Sequence, residues 1–318
     1  MTESSETLTA ALWATNLARP LADLADWAAG VERQLAAAKA EGASLLVLPE
    51  YMCEQWLSFA PPELKPSEEI SWLAEQAPAA LAAIAPLPAC HDVALLAGTM
   101  AVQAERPLPG QPPQLNRAHL LLPDGRVISQ DKLCLTPGER NPQAWNLGVG
   151  DEIAITEWNG LRVATLICLD IELPALSCLL AERDIDLLLV PSMTEKLSGH
   201  ARVFSCAKAR AVELLTTVLA VGCIGKAAAS KPRLSNTSGA AAFVPCEAEL
   251  GFVGVHAELP PSDRAKGPGP LLIARDLPLG AIRRLRRGGA EVWPGAWRSA
   301  HVKLREAGEA PRVAVARR

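Results

Sequence analysis

Three residues able to perform acyl-transfer chemistry each stand just after a strand-like apolar run. Glu50 follows the run SLLVLP, Lys132 comes shortly after 127–130, and Cys168 follows 163–167. A carboxylate can accept a thiol proton, a thiolate can attack a carbonyl carbon, and an ammonium can stabilise the oxyanion. Each residue alone is more often a solvated charge or a small buried hydrophobe, so only the combination predicts a site.

The cysteine lies in the stretch LRVATLICLDIELP, residues 161–174. Its β-branched run after a Trp-Asn-Gly turn predicts a buried strand, and Pro174 suits the first turn of a helix. We expect the backbone amides of the turn between them to face Cys168 and favour its thiolate. Asp170 and Glu172 are expected to fix this turn by accepting hydrogen bonds from free amides.

The elements that must position these residues alternate strands with helices. Apolar spacing predicts helices over 21–40, 68–85, 173–183 and 201–215. Strands are predicted over 8–16, 44–49, 92–100, 116–122, 127–130, 153–158, 161–167, 186–192, 216–223, 239–245, 251–257 and 271–275. This order predicts an α/β fold in which two mixed β-sheets form one sandwich, with helices covering its outer faces. We expect a single domain over 1–318, with its core at 8–285 and a C-terminal tail that can pack on a partner subunit.

Composition excludes several function classes. The chain has 318 residues, 49% of them hydrophobic, and 31 basic against 35 acidic residues give a net charge of -4. This balance argues against nucleic acid or an anionic membrane as a partner, and we expect the arginines at 283–287 to form a solvated helix end. The polar start and the lack of a spanning apolar run favour a soluble, cytoplasmic protein. The eight cysteines and five histidines have no metal-site spacing, so no metal is expected.

Two rival sites find less support. His119 or His200 could act as the base of a Cys-His hydrolase, but neither lies in a recognisable context. The pair Gly225-Lys226 lacks the preceding glycine and the following Ser or Thr of a phosphate-binding loop.

The three chemical segments also resemble those of a known family. LPEYM, DKLCLTPGE and VATLICLDIELP are similar to the Glu, Lys and Cys segments of the nitrilase (carbon–nitrogen hydrolase) superfamily. The downstream block LLLVPSMTEKLSGHARVFSCAKARAVE resembles the family too, and the likeness runs from about residue 8 to residue 285. The residues of this downstream block resemble those of an amidase-like branch of the family.

This resemblance implies an αββα sandwich, commonly paired through its helices into a homodimer or a larger homo-oligomer. It implies hydrolysis of a small non-peptide amide through a thioester on Cys168, without a metal or an organic cofactor. Glu50 would be the general base and later the acid. Lys132 and the backbone N–H of Leu169 would hold the oxyanion, and Glu139 would orient Lys132 or the attacking water.

The substrate itself is not encoded in a motif. Met193 and Thr194 follow a strand end near the site, and Arg202 is a candidate for binding a substrate carboxylate. Residue 169 is Leu where relatives usually have an aromatic residue, so we expect an altered pocket wall. Hydrolysis of a nitrile or an N-carbamoyl compound, acyl transfer through the same thioester, and a catalytically inert scaffold remain open alternatives.

Overall fold

The computed structural model describes residues 6–228, 234–264, 266–295 and 297–304. In chain order its strands are β1 (Leu8–Trp13), β2 (Leu45–Val47), β3 (Ala94–Gln103), β4 (Gln114–Leu121), β5 (Val127–Asp131), β6 (Ile155–Trp158), β7 (Leu161–Thr165), β8 (Leu187–Ser192), β9 (Thr217–Gly222), β10 (Ser238–Phe243), β11 (Val255–Ser262) and β12 (Leu271–Leu277). Its α-helices are α1 (Leu24–Ala40), α2 (Glu69–Ile84), α3 (Leu87–His91), α4 (Pro137–Arg140), α5 (Pro174–Leu180), α6 (Leu197–Glu213) and α7 (Leu279–Arg286). None of the helices in these ranges combines the length and apolar character needed to cross a bilayer.

The strands form two six-stranded sheets. One has the order β12-β1-β2-β3-β4-β5 and the other the order β11-β10-β9-β8-β7-β6. Within each sheet three neighbouring strands are parallel, β1 to β3 in the first and β7 to β9 in the second, while the flanking strands are antiparallel. The predicted pair of mixed sheets is confirmed.

Side-chain alternation along a strand explains why the sheets stack with helices outside. Ala10 and Leu12 of β1 belong to the same apolar cluster as Leu187 of the second sheet. Ala11 and Trp13, on the opposite face of β1, belong to the cluster that includes buried residues of α1 and α2. Because successive strand side chains point to opposite faces, a continuous apolar run is buried on both. The predicted αββα arrangement is therefore confirmed.

One predicted strand is wrong over its first half. The segment 251–254 is a turn, and β11 begins only at Val255. Gly251, Phe252 and Gly254 have φ angles of 89°, 68° and 70°, in the left-handed region that a strand does not use. The two glycines supply this conformation at low cost, whereas the apolar composition alone favoured a strand.

The solvated helix end that the sequence favoured is wrong for Arg283 and Arg286 of α7, whereas Arg284 is exposed. Arg283 donates from Nε and Nη2 to the carboxylate of Asp186, at 2.8 and 2.6 Å. Arg286 has a side chain only 8% exposed and donates to the carbonyl oxygens of Ile185 and Leu215. The planar guanidinium groups thus dock α7 on the second sheet, where Asp186 compensates their buried charge.

Gly98 allows β3 to pass close to the chain that carries Glu50. Its φ is +66°, and a Cβ built on it would lie 2.1 Å from the carbonyl oxygen of Pro49. The next residue, Thr99, donates its N–H to that oxygen at 3.3 Å and accepts the Tyr51 N–H on Oγ1 at 2.9 Å. The backbone on both sides of Glu50 is therefore held by this part of β3.

We expect Gly98→Ala to destabilise the protein far more than Gly42→Ala. Both glycines have positive φ, but nothing lies within 4 Å of a Cβ on Gly42. Gly42→Ala should cost about 1–2 kcal/mol of unfolding free energy from left-handed strain. Gly98→Ala adds steric overlap worth about 1–3 kcal/mol more. Urea denaturation of both variants measures the difference, and equal losses would contradict the close-approach argument.

Candidate active site

The carboxyl ends of four strands deliver the site residues to one place. Glu50 follows β2 and Lys132 follows β5, both in the first sheet. Cys168 follows β7 and Met193 follows β8, both in the second sheet. Ligands of α/β sheets commonly bind beyond the carboxyl ends of strands, so this location agrees with the general rule.

Cys168 sits on a tight turn between β7 and α5. It begins the 3₁₀ helix Cys168–Glu172, and its own φ of 48° lies in the left-handed region that non-glycine residues rarely adopt. The Asp170 N–H donates to the Ile167 carbonyl oxygen at 3.0 Å, which closes the turn. Such strained residues persist where the surroundings hold them, and they concentrate at functional sites.

Lys132 lies between two carboxylates in the interior. Its Nζ is 2.7 Å from Glu50 Oε1 and 2.8 and 2.9 Å from the two oxygens of Glu139. The three side chains are 2%, 2% and 4% exposed. Buried charges are tolerated only when they are paired and hydrogen-bonded, so each member of this cluster requires the others.

Glu139 accepts hydrogen bonds from several residues besides Lys132. Its Oε2 accepts the backbone N–H and the hydroxyl of Thr136 at 2.8 and 2.9 Å, and the Tyr51 hydroxyl donates to Oε1 at 2.9 Å. Burial acts to raise the Glu139 pKa, but the Lys132 charge and the hydrogen bonds from Lys132 and Thr136 outweigh it, so the pKa is lowered. The ionised form of Glu139 is therefore favoured beside Lys132.

Glu50 differs from Glu139 in both contacts and pKa. Its Oε1 accepts from Lys132 and from Asn116 Nδ2, the latter at 2.9 Å, while Oε2 accepts the Met193 N–H at 2.9 Å. Burial raises the Glu50 pKa, and the neighbouring Glu139 charge raises it too, against the opposing effect of Lys132. A carboxylate with a raised pKa is the better proton acceptor, which suits a general base.

The expectation that the turn amides favour the Cys168 thiolate is not met, because the pKa of the thiol is raised. Burial raises the pKa of the Cys168 thiol well above its ordinary value, and the Glu50 charge adds to this, while Lys132 opposes it. The Cys168 Sγ–H points to the Met193 carbonyl oxygen at 3.7 Å. Desolvation therefore outweighs the effects of Lys132 and Met193, so burial favours the neutral thiol over the thiolate.

Lys132, in contrast, keeps its charge. Burial alone would lower its pKa, but Glu50 and Glu139 raise it well above the ordinary lysine value. An ammonium that never loses its proton is a fixed cationic hydrogen-bond donor beside the cysteine.

A cavity of about 620 Å³ opens onto this cluster. Leu169, Met193, Thr194 and Arg202, the predicted oxyanion and substrate residues, all line it. Arg202 is held at 3.0 Å by Glu172, so it reaches the cavity already paired. Further walls come from aromatic and aliphatic side chains, namely Tyr51, Ala144, Trp145, Val203, Ala227 and Leu234.

Sequence reasoning missed three residues that hydrogen-bond the two carboxylates of the site. Asn116 Nδ2 contacts both carboxylates, at 2.9 Å from Glu50 and 3.4 Å from Glu139. Tyr51 and Thr136 bond Glu139. The order Thr136-Pro-Gly-Glu139 is a helix capping box, which the structure contains, and that spacing was readable. Asn116 carried no such signal, because its strand β4 also contains the polar residues Gln114, Arg117 and His119.

The two rival histidines bond elsewhere. His119 Nδ1 lies 3.2 Å from Ser129 Oγ, and His200 Nδ1 lies 3.2 Å from Ser238 Oγ. Burial lowers the pKa of both rings to about 4. Neither is among the described residues that line the cavity, whereas Glu50 and Cys168 both line it.

Comparison with known proteins gives a family match across most of the chain. The sequence model of the family described as carbon-nitrogen hydrolase matches residues 6–245. The probable hydrolase YhcX of Bacillus subtilis is 27% identical over 243 residues, which are 76% of this chain and 44% of that protein. An (R)-stereoselective amidase of a Pseudomonas species is 36% identical over 75 residues, 24% of this chain and 26% of that protein. The match thus spans less than half the length of either relative.

Solved structures share the fold. An amidase from a Nesterenkonia species has a TM-score of 0.63 at 24% identity, covering 90% of this chain and 97% of that one. A mutant of that amidase in complex with butyramide has a TM-score of 0.62 at 23% identity, covering 90% of this chain and 98% of that one.

We expect Lys132→Met to make stability depend on pH. Without the ammonium, one of the two buried carboxyls keeps its proton, so its folded pKa rises above its unfolded value. The folded state then binds a proton that the unfolded state has released, and stability falls as pH rises through that folded pKa. Breaking the buried pair should cost about 3–5 kcal/mol of unfolding free energy at neutral pH.

Urea denaturation at several pH values between 5 and 8 measures this effect. Lys39→Met is the matched control, since Lys39 pairs with Asp92 on the surface and both are exposed. The control should show no added pH slope, and Lys132→Met/Glu139→Gln should keep a smaller slope, because the remaining Glu50 carboxyl is still buried without a cation. A Lys132→Met variant with the same pH profile as the wild type would contradict the charge assignment.

Proposed function

The chain belongs to the carbon–nitrogen hydrolase family, and we propose that it hydrolyses the C–N bond of a small non-peptide amide through a thioester on Cys168. The observation that carries this proposal is the buried cluster of Glu50, Lys132 and Glu139 beside the cysteine, at the base of an open cavity. A nucleophile, a base with a raised pKa and a fixed cation are the three parts that acyl transfer requires.

Acylation begins with the neutral thiol. Glu50 takes the Cys168 proton as Sγ attacks the amide carbon. Oε2 of Glu50 suits this step, because it accepts one hydrogen bond from the protein whereas Oε1 accepts two. The carbonyl oxygen gains negative charge, which Lys132 Nζ and the backbone N–H of Leu169 stabilise. Leu169 lies in the first turn of a 3₁₀ helix, where N–H groups have no acceptor within the helix. Collapse breaks the C–N bond, and Glu50 donates its proton to the departing amine.

Deacylation uses the same groups in reverse. Glu50 removes a proton from water, and the oxygen attacks the thioester carbon. The second tetrahedral oxyanion lies against the same two donors. Collapse breaks the C–S bond, the carboxylic acid is released, and the Cys168 sulfur regains a proton. Glu139 takes no proton in this cycle, because its role is to keep Lys132 charged and in place.

An amide is the best-supported substrate class. The structural neighbours include an amidase, and one of its mutants was solved with butyramide in place. A nitrile or an N-carbamoyl compound could form the same kind of acyl-enzyme. An amine acceptor would turn the enzyme into an acyltransferase, and an inert scaffold would form no acyl-enzyme. We also propose that two copies pair through their outer helices, where Leu179 of α5 and Leu197 and Val212 of α6 are exposed.

The test is a pooled panel of small amides, N-carbamoyl amino acids and nitriles, followed by mass spectrometry. We expect wild type to deplete one class and Cys168→Ala to deplete none. Glu50→Gln should block acylation, so that no thioester mass accumulates on Cys168. Lys132→Met should lower kcat by about 10²–10³-fold, the usual loss for one oxyanion donor, and change KM less.

Cys178→Ala is the matched cysteine control, because Cys178 is exposed on α5. It should retain the wild-type rate. Depletion that persists in Cys168→Ala would remove the nucleophile assignment. Turnover only when an amine is added would identify an acyltransferase, and an acyl mass trapped on Cys168 without turnover would point the same way.

A further inference from the structure

We propose that Asp170 is a positioning residue that sets the separation of the two oxyanion donors, Lys132 and the backbone N–H of Leu169. This inference rests on the proposed function, because it concerns the site that would bind the tetrahedral oxyanion. It assigns a role in catalysis to a carboxylate that takes part in no bond-making step.

The carboxylate of Asp170 joins two segments that are distant in sequence. It is fully buried, with 0% of the residue exposed. Its Oδ1 accepts the Cys134 N–H at 2.7 Å, and both oxygens lie 3.2 Å from the Leu133 nitrogen. Its Oδ2 also accepts the Ile167 N–H at 3.2 Å. One rigid planar group thus holds three backbone amides from the lysine segment and the nucleophile turn.

The positions of these contacts connect them to the oxyanion donors. Leu133 directly follows Lys132, and Asp170 directly follows Leu169. Consecutive Cα atoms are fixed about 3.8 Å apart by the trans peptide. The Asp170 carboxylate accepts the Leu133 N–H, so it restrains the Cα atom of Lys132 relative to the backbone amide of Leu169.

The division of the site between two sheets makes such a link necessary. Lys132 follows β5 of the first sheet, and Leu169 follows β7 of the second. The sheets face each other through apolar side chains, which pack without directional hydrogen bonds. A displacement of about 1 Å between reacting groups can cost 10²-fold in rate. Directional bonds from Asp170 across this boundary supply the precision that apolar packing does not.

The burial of Asp170 means that this link is kept in spite of the free-energy cost of desolvating its carboxylate. Burial raises its pKa to about 7, while Lys132 and the amides of Leu133, Cys134 and Ile167 act to lower it. An unpaired buried carboxylate is tolerated only when its oxygens are hydrogen-bonded. An asparagine of the same shape has one acceptor oxygen, and its NH₂ group would face N–H donors.

Asp186 offers a matched control of the same residue type. It is also buried, at 4% exposed, and accepts a backbone N–H, that of Arg162, at 2.9 Å. It precedes β8, whereas Met193 of the site follows the far end of that strand. Loss of Asp186 should therefore lower stability without changing the geometry of the oxyanion donors.

The experiment compares Asp170→Asn, Asp170→Ser and Asp186→Asn with the wild type, using the amide that the panel identifies. Rates are expressed per folded molecule, and thermal unfolding gives the folded fraction. The aldehyde that matches the amide serves as an oxyanion probe. The Cys168 sulfur adds to its carbonyl carbon, the C=O π-bond breaks, and the thiol proton passes to Glu50, which leaves a tetrahedral oxyanion at the two donors.

For both Asp170 variants we expect kcat to fall about 10²-fold with little change in KM. The aldehyde Ki should rise by the same factor, because both depend on the oxyanion donors. Binding of the intact amide, measured in the Cys168→Ala background with and without Asp170→Asn, should not change. Asp186→Asn should lower Tm and leave kcat and the aldehyde Ki at their wild-type values.

Three results would overturn the inference. One is a lower Tm for the Asp170 variants with an unchanged kcat per folded molecule, as a purely structural residue would give. Another is a loss of affinity for the intact amide by the same factor as the rise in the aldehyde Ki. That result would indicate a substrate-binding role for Asp170. If neither variant folds, the structural role alone is supported. A wild type that turns over no amide and binds no aldehyde overturns the proposed function itself, which separates that failure from the others.

Discussion

The rest of the site depends on the burial of one ammonium group between two carboxylates. Lys132 could not remain charged in the interior without Glu50 and Glu139, and neither carboxylate could remain ionised there without Lys132. The division of contacts then gives the two acids different tasks. Glu139, with extra donors from Thr136 and Tyr51, stabilises the cation, whereas Glu50 retains a raised pKa and can exchange protons.

The same burial determines which protonation state of Cys168 is favoured. A thiol enclosed by two sheets and beside a carboxylate has little reason to ionise at rest. In the proposed mechanism proton removal accompanies attack, so Cys168 becomes nucleophilic only when a substrate carbonyl is present. In that mechanism no permanently reactive thiolate lies in the open cavity.

The two-sheet architecture places Glu50 and Lys132 on one layer and Cys168 on the other. Hydrogen bonds cross this boundary within the site. The Met193 N–H donates to Glu50, and the amides of Leu133 and Cys134 donate to Asp170. Strand ends can bring residues to a common edge, but these polar contacts give the side chains at that edge a defined separation. Gly98 also contributes to this positioning, because it lets β3 approach the segment after β2 that contains Glu50.

The sequence by itself determined the residue types, the strands that deliver them and the paired mixed sheets, because apolar periodicity and turn residues act over a few neighbouring positions. Tertiary structure alone decided the protonation of Cys168, the contacts of Asn116 and the burial of Arg286. Desolvation and hydrogen bonding depend on groups brought together from distant parts of the chain, and no local pattern encodes their distances. The turn at 251–254 was misread for a related reason, since backbone φ angles there oppose the apolar composition.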